Sequence, residues 1–358
     1  MAFTINEIEN ISNTTLDHHM RGQPESQSIQ EKPLLAALKA KQKTFPGGKE
    51  YITGRVKNDY TTTFMGFDTD DTVTYRNPAN IKTFQYAWKE LHAGIQITLS
   101  ELKKQGISVV DSLDGEETTQ ASAAEELILA NILDDKLEDL DEGTARSHND
   151  INWGDGTASA KIYPGILHFV ALNPTTGVVG GIDRATNTWW RNRAKTAAKF
   201  AATGVAADNA IASSAANQTL TKTLRAELRQ LRRYGGRPDL VLAGSGFIEK
   251  LENEIHEKGT YTQEGFASTK ATDITMSDIT MKGVGKIVYD PTLDDLGLTD
   301  YCFFIDTRHL TLMVMENEDM KVHNPARPPE KYVLYRGITW TGTMIAKKMN
   351  CHGVYQAT

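Results

Sequence analysis

Two stretches of this sequence cannot stabilise themselves, and they limit what the rest can be. Residues 1–49 are polar and rich in Gln, Asn and Ser. They hold one short helical run, Pro33-Leu34-Leu35-Ala36-Ala37-Leu38-Lys39, and break at Phe45-Pro46-Gly47-Gly48. A segment of that kind buries too little apolar surface to offset its chain entropy, so it is expected to stay open or to be held by something else. Residues 50–77 read as a long β-hairpin with strands Glu50–Lys57 and Thr72–Asn77, both rich in β-branched and aromatic residues. The connection between them carries Tyr60, Phe64, Met65 and Phe67. A lone two-stranded hairpin is marginal in water. At about 3.3 Å per residue its strands reach roughly 25 Å. Aromatic side chains at such a tip need a surface to lie on, which makes Tyr60, Phe64 and Phe67 candidate intersubunit contacts.

The remainder has the texture of an ordinary folded chain. Ile81–Trp88 and Gly94–Leu99 read as extended, and Ser100 as the cap of a short helix, Glu101–Lys104, stopped by Gly106. Residues 118–142 carry the clearest helical periodicity, with Leu129, Leu133 and Leu137 four apart. A helix from Ala121 to Glu142 spans about 33 Å, with Gly143 as its expected end. Residues 111–142 contain twelve acidic residues and one basic, Lys136. From Arg184 to Arg233 there are ten basic residues and two acidic. The two blocks are complementary in sign, which fits contact between subunits and fits ordinary charge segregation equally.

The second half alternates helix and strand. Leu220, Leu224, Leu228 and Leu231 line a helix that Gly235-Gly236 stops; Asp239–Gly244 is a buried strand; Ser245–His256 is a second helix. Residues 258–280 are polar and loop-like. Lys286–Asp290, Tyr301–Asp306 and Leu310–Met315 are apolar strands, and Tyr332–Tyr355 is a long closing extended stretch. Of 358 residues 39% are hydrophobic, enough for a sizeable core. Two cysteines, Cys302 and Cys351, make no disulfide framework. No apolar run approaches the roughly 20 residues that span a bilayer, and the N-terminus shows no secretion signal. A net charge of -7 does not suit a chain whose task is to grip phosphate backbones. The expectation is a soluble α+β protein made inside the cell.

Catalytic patterns are largely missing. Ala243-Gly244-Ser245-Gly246-Phe247 sits where a hydrolase nucleophile would, but the glycines of the nucleophile elbow are misplaced, and a helix N-cap is the better account of Ser245. Gly283-Val284-Gly285-Lys286 lacks the spacing and the following helix of a phosphate loop. The nine histidines form no zinc spacing, and Asp150, Asn152 and Asp155 fail the calcium-loop pattern. No cofactor, metal or membrane partner is expected.

The order of parts is the most informative feature: polar arm, protruding hairpin, long acidic helix, α/β region, returning strands. It resembles the major capsid proteins of tailed bacteriophages, the Hong Kong ninety-seven fold. Gly180-Gly181-Ile182-Asp183-Arg184 followed by Trp189-Trp190-Arg191-Asn192 is similar to a stretch found in one branch of them. Tyr86-Ala87-Trp88-Lys89 with Gly94-Ile95-Gln96-Ile97 resembles their strand leading out of the extended loop, Leu224 through Leu240 and the following helix resemble their axial helix–strand–helix, and the closing Gly337–Tyr355 resembles their closing strands. The resemblance implies an N-terminal arm (1–49), an extended loop (50–78), a peripheral domain (79–155) with a spine helix (118–142), an axial domain (156–320) and C-terminal strands (321–358). Arg184, Trp189, Trp190 and Arg191 would then belong to axial-domain structure. The implied role is a non-catalytic shell protein of the virion, assembled in the host cytoplasm as hexamers and pentamers. It would enclose double-stranded DNA without reading its sequence. A separate scaffolding protein, a portal and a decoration protein are the implied partners. The rivals are an encapsulin-like nanocompartment shell and a hydrolase using Ser245.

Overall fold

Leu34, Leu35 and Leu38 fall on one side of a helix that Pro33, with its preset φ, is suited to start. In a computed structural model of the chain this helix is α1 (Pro33–Ala40), and all three leucines are buried. The structure describes residues 29–60, 64–73, 75, 77, 80–104, 123–198, 210–214, 217–257, 280–281, 285–323 and 333–358. Most of the expected arm, Gly106, the first residues of the acidic helix and the 258–279 loop lie outside the described residues.

After α1 come β1 (Lys43–Phe45), β2 (Tyr51–Lys57), β3 (Ile81–Ala87), β4 (Lys89–Thr98) and α2 (Leu99–Lys104). Helix α3 (Ala123–Trp153) is followed by α4 (Ile166–Phe169), the short strands β5 (Val178–Val179) and β6 (Ile182–Asp183), a 3-10 turn at Thr188–Trp190, and β7 (Arg193–Lys195). Then follow α5 (Thr219–Arg233), β8 (Leu240–Ala243), α6 (Ser245–Glu257), β9 (Thr280–Met281), β10 (Gly285–Tyr289) and α7 (Pro291–Asp295). Strands β11 (Tyr301–Ile305), β12 (Leu310–Met315), β13 (Lys321–His323), β14 (Val333–Ala346) and β15 (Gly353–Gln356) complete the chain.

Several expectations change. The partner of β2 is β3, with Tyr51 opposite Ala87 and Lys57 opposite Ile81, and not Thr72–Asn77. Val73 and Tyr75 have strand propensity but stay exposed, whereas Phe84 and Tyr86 alternate into the core. The ladder forms where one face is buried, because burial is what selects register. Helix α3 does not stop at Gly143. A helical glycine costs about 1 kcal/mol against alanine, and the ten residues beyond it bury His148, Asn149, Asn152 and Trp153. At about 1.5 Å per residue the helix is about 46 Å long. Residues 33–45 are not an open arm either, since the α1 leucines are buried and Phe45 of β1 pairs with Met315 of β12. Thr98, rather than Ser100, caps α2: its Oγ1 accepts the Glu101 amide at 3.2 Å. The closing stretch is two strands, β14 and β15, and not one.

The chain divides into two compact units. In the first (described residues 29–30, 95–104, 123–143 and 333–335), Ile97 and Leu140 are buried, and Lys136 Nζ lies 3.4 Å from Glu101 Oε1. The second holds the remaining described residues and two main sheets. One runs β1-β12-β14-β13, with β4 also on β14; the other runs β7-β15-β11-β8-β10-β9. Period-two alternation gives the six-stranded sheet two apolar faces. Val241, Ala243, Cys302, Phe304 and Tyr355 pack under α5 and α6. Leu242, Phe303, Ile305 and Val354 face the other way, into a core with Trp153, Tyr163, Ile166, Trp190 and Leu293. Trp153 Nε1 donates to Asp290 Oδ2 at 3.1 Å, and Asn149 Nδ2 to Thr292 Oγ1 at 2.8 Å, so the end of α3 is tied to α7.

Candidate assembly surface

The β2–β3 ribbon has a root and a tip with different chemistry. At the root, Phe84 is 3% exposed and lies across Gly54 of the opposite strand, so close that a Cβ there would sit 2.3 Å from the ring. Phe84 stacks on Trp190 at 6.4 Å between centroids and meets Tyr86 at 5.4 Å. The Tyr86 ring stands edge-on to Phe169 at 5.5 Å, and its hydroxyl donates to Ala346 O at 3.2 Å. Burial pushes that phenol well above its usual range. Gln85 N donates to Gly180 O at 3.0 Å.

The Gly180–Arg191 stretch is the clamp on this root. Gly180 and Gly181 join β5 to β6 with φ of 59° and 81°. Positive φ at both central positions is the tight hairpin geometry that glycine adopts without a Cβ penalty. Arg184 is buried, and Nη2 donates to the carbonyls of His168 and Phe169. Desolvation lowers its guanidinium to about 10. Arg191 Nε donates to Arg184 O at 2.7 Å and Nη2 to Ala185 O at 3.0 Å. Trp190 Nε1 donates to Val179 O at 3.1 Å, and Trp189 packs edge-on against Trp190 at 5.6 Å. Arg184, Trp189, Trp190 and Arg191 are thus brought together. Trp190 shares one core with Phe84 and Tyr86 of β3 as well as with Leu242 and Phe303 of the six-stranded sheet.

The tip is the reverse. Tyr60 is 80% exposed, Phe67 is 70% exposed and Phe64 is fully exposed; Met65, Val73 and Tyr75 are exposed beside them in sequence. Lys57 Nζ lies 3.9 Å from the Tyr60 ring centroid. Between residues 58 and 75 the charges are all acidic: Asp59, Asp68, Asp70 and Asp71. Exposed aromatic surface gathered on one segment makes this segment a candidate interaction surface.

The candidate catalytic groups take structural places. Ile248 N donates to Gly244 O, so Gly244 holds the N-cap position of α6 and Ser245 is the first helical residue, a correction to the expected cap. The Ser245 amide is met by Asp294 Oδ1 at 3.0 Å, and no described histidine bonds to Ser245. The fold also gathers Asp306, His309 and Cys351 within 4.8 Å of one another. Sequence spacing gives no sign of this, because the group is built from two separate turns. Both Asp306 oxygens are already occupied by the Arg308 side chain and by the Arg237 and Arg308 amides. Burial pushes the Cys351 thiol up to about 12, which keeps it protonated. The His352 Nδ1 accepts the Asp306 amide at 3.2 Å. The cluster joins the β11–β12 turn to the β14–β15 turn.

No protein-family model matches the chain, and no curated protein matches it in sequence. Solved structures do match. The cyanophage A-1(L) capsid asymmetric unit aligns over 94% of this chain and 94% of its own, at 13% identity and TM-score 0.62. The capsid of Myoviridae phage XM1 aligns over 95% and 98%, at 11% identity and TM-score 0.53. The capsid of a native GTA particle aligns over 96% and 98%, at 13% identity and TM-score 0.50. The chain has the α+β fold of tailed-phage capsid proteins.

Proposed function

We propose that this chain is a major capsid protein, a non-catalytic subunit that self-assembles into the icosahedral head of a tailed phage and encloses its double-stranded DNA. The observation that carries this reading is the contrast within the ribbon: a root fixed by buried aromatics and a tip whose Tyr60, Phe64 and Phe67 are exposed. A chain alone gains nothing from ordering such a tip; a neighbour that covers it does. Within the Hong Kong ninety-seven layout the ribbon is the extended loop and α3 the spine helix. The regions around the five-stranded and six-stranded sheets correspond to the peripheral and axial domains. Shell closure holds each subunit at several contacts, so individually weak contacts suffice. A scaffolding protein and a portal are the partners this role calls for in the host cytoplasm, and a decoration protein is an optional addition to the shell.

The test is negative-stain microscopy of the purified protein, alone and co-expressed with its scaffolding protein. Closed shells or capsomers are expected; a chain that remains monomeric at high concentration defeats the reading. A variant in which Asn-Gly replaces residues 59–79 keeps the β2–β3 ladder and should fold yet assemble poorly. Normal shells from this variant would remove the tip from the assembly surface. Particles loaded with a protein cargo in place of DNA would move the assignment to an encapsulin-like compartment.

A further inference from the structure

Helix α5 is two-faced. Leu220, Leu224, Leu228 and Leu231 are buried under it, while Lys222, Arg225, Arg229, Arg232 and Arg233 are exposed. At about 100° per residue these five cations share an arc of roughly 100° and extend over about 16 Å of helix. The nearby carboxylates are spent elsewhere. Glu227, the only one on α5, is buried and taken up by Arg193 and Lys195. Glu254 of α6 is buried and accepts the Leu220 and Thr221 amides. Among the described residues Lys222, Arg225 and Arg229 form no ion pair, with Glu249 and Glu252 of α6 or with any other carboxylate. Cations three and four apart on a helix repel one another, so the stripe gains from negative charge supplied from outside.

A second segment extends the stripe at its C-terminal end. Lys348, from the turn between β14 and β15, donates through Nζ to Tyr234 O, and Lys347 beside it in sequence is exposed. Tyr234 is itself exposed, with the Arg233 guanidinium 5.6 Å from its ring centroid. The exposed positions of α5 are otherwise the five cations and Gln230. That composition is unlike the centre of a protein–protein interface, which is apolar and poor in charge. It is like the surface that proteins turn to nucleic acid, which is polar and strongly positive.

We propose that the basic face of α5 is a contact for the phosphate backbone of duplex DNA. A duplex carries one negative charge per about 1.7 Å of its axis, so the length of the stripe faces about nine phosphates. Four of the five cations of α5 are arginines, whose planar forks match phosphate oxygens in pairs. Contacts of this kind read no base sequence, as enclosure of a whole genome requires. The net charge of -7 keeps the contact local: the stripe holds the duplex while the chain as a whole repels it. The inference rests on the shell reading only for the source of the DNA, the enclosed genome, and it adds which residues meet it.

The test takes full-length protein as unassembled subunits and a short fluorescent DNA duplex as probe, with anisotropy read across a salt series. Lys222→Gln/Arg225→Gln/Arg229→Gln should stay folded by circular dichroism, because all three side chains are exposed. It should bind the duplex about tenfold or more weakly at low salt, and its plot of log affinity against log salt should be shallower by roughly 2.7, about 0.9 for each lost contact. Arg233→Gln/Lys347→Gln, at the other end of the stripe, should lower the slope by roughly 1.8. Wild-type protein without affinity for the duplex at low salt overturns the proposal. So do variants whose affinity and slope match the wild type; if those variants also fail to assemble, the stripe belongs to a protein contact. Closed shells from a chain whose variants bind the duplex unchanged would sink this contact and leave the shell reading standing. Affinity lost in the variants of a chain that never forms shells would do the reverse.

Discussion

The root and the tip of the β2–β3 ribbon belong to one continuous stretch, yet their aromatic side chains end in different surroundings. The root is satisfied inside the chain: Phe84 and Tyr86 meet Trp190, Phe169 and the Gly180 turn. The tip, with aromatics of the same kind, leaves Tyr60, Phe64 and Phe67 exposed, with Lys57 over the Tyr60 ring. Aromatic content therefore does not say where a side chain ends up. What decides is whether the backbone pairing carries it over the core or away from it.

That contrast can be broken at its strongest point first. Trp190→Ala removes the ring under Phe84 and should cost about 3–5 kcal/mol of subunit stability, measured by denaturant unfolding. A loss under about 1 kcal/mol would mean that the root is not anchored there.

Acid should attack the root before the tip. Burial, helped by Arg184, lowers the His168 imidazole to about 4, whereas free imidazole titrates near 6.5. The unfolded chain therefore binds the extra proton first, between those values. Stability is complete above pH 6.5, declines as the pH falls toward 4, and this contribution is gone below it. Asp155 opposes the shift in part. Partial solvation of the ring limits the loss to about 1–2 kcal/mol. His168→Gln should reduce the slope of this part of the profile without removing it, because burial also lowers His148 and His352 to about 4; an unchanged slope would clear His168 of the effect.

Phe64→Ser should give the smallest stability change, within about 0.5 kcal/mol, since the ring is exposed. Its effect belongs in particle yield. A variant that unfolds more easily yet assembles normally would reverse the distinction between root and tip.

Reading the sequence recovered much of the fold and part of the surface. The four-residue leucine spacing of α5, the apolar β8 and the β10 to β12 strands follow from local pattern, because period and burial agree there. Tyr60, Phe64 and Phe67, singled out in sequence as aromatics at the hairpin tip, are exposed. The pairing of β2 with β3 was not legible, since Thr72–Asn77 has equal strand propensity and the choice of Ile81–Ala87 depends on a core formed by residues distant in sequence. Gly143 looked like a stop because its local cost is visible and the downstream burial of Trp153 is not.

Sequence alone settled that Thr219–Arg233 and Ser245–Glu257 are helical and that Leu240–Ala243, Tyr301–Ile305 and Leu310–Met315 are extended, and that the chain carries an acidic block and a basic one. Local sterics and side-chain period act over a few residues, so they can be read without a fold. Tertiary structure decided which strand closes the ribbon, and that Trp190 lies beneath Phe84. It also decided that α5 and the end of α3 pack against opposite faces of one sheet. Those outcomes depend on which distant residues exclude water together, a property of the assembled core that no short window contains.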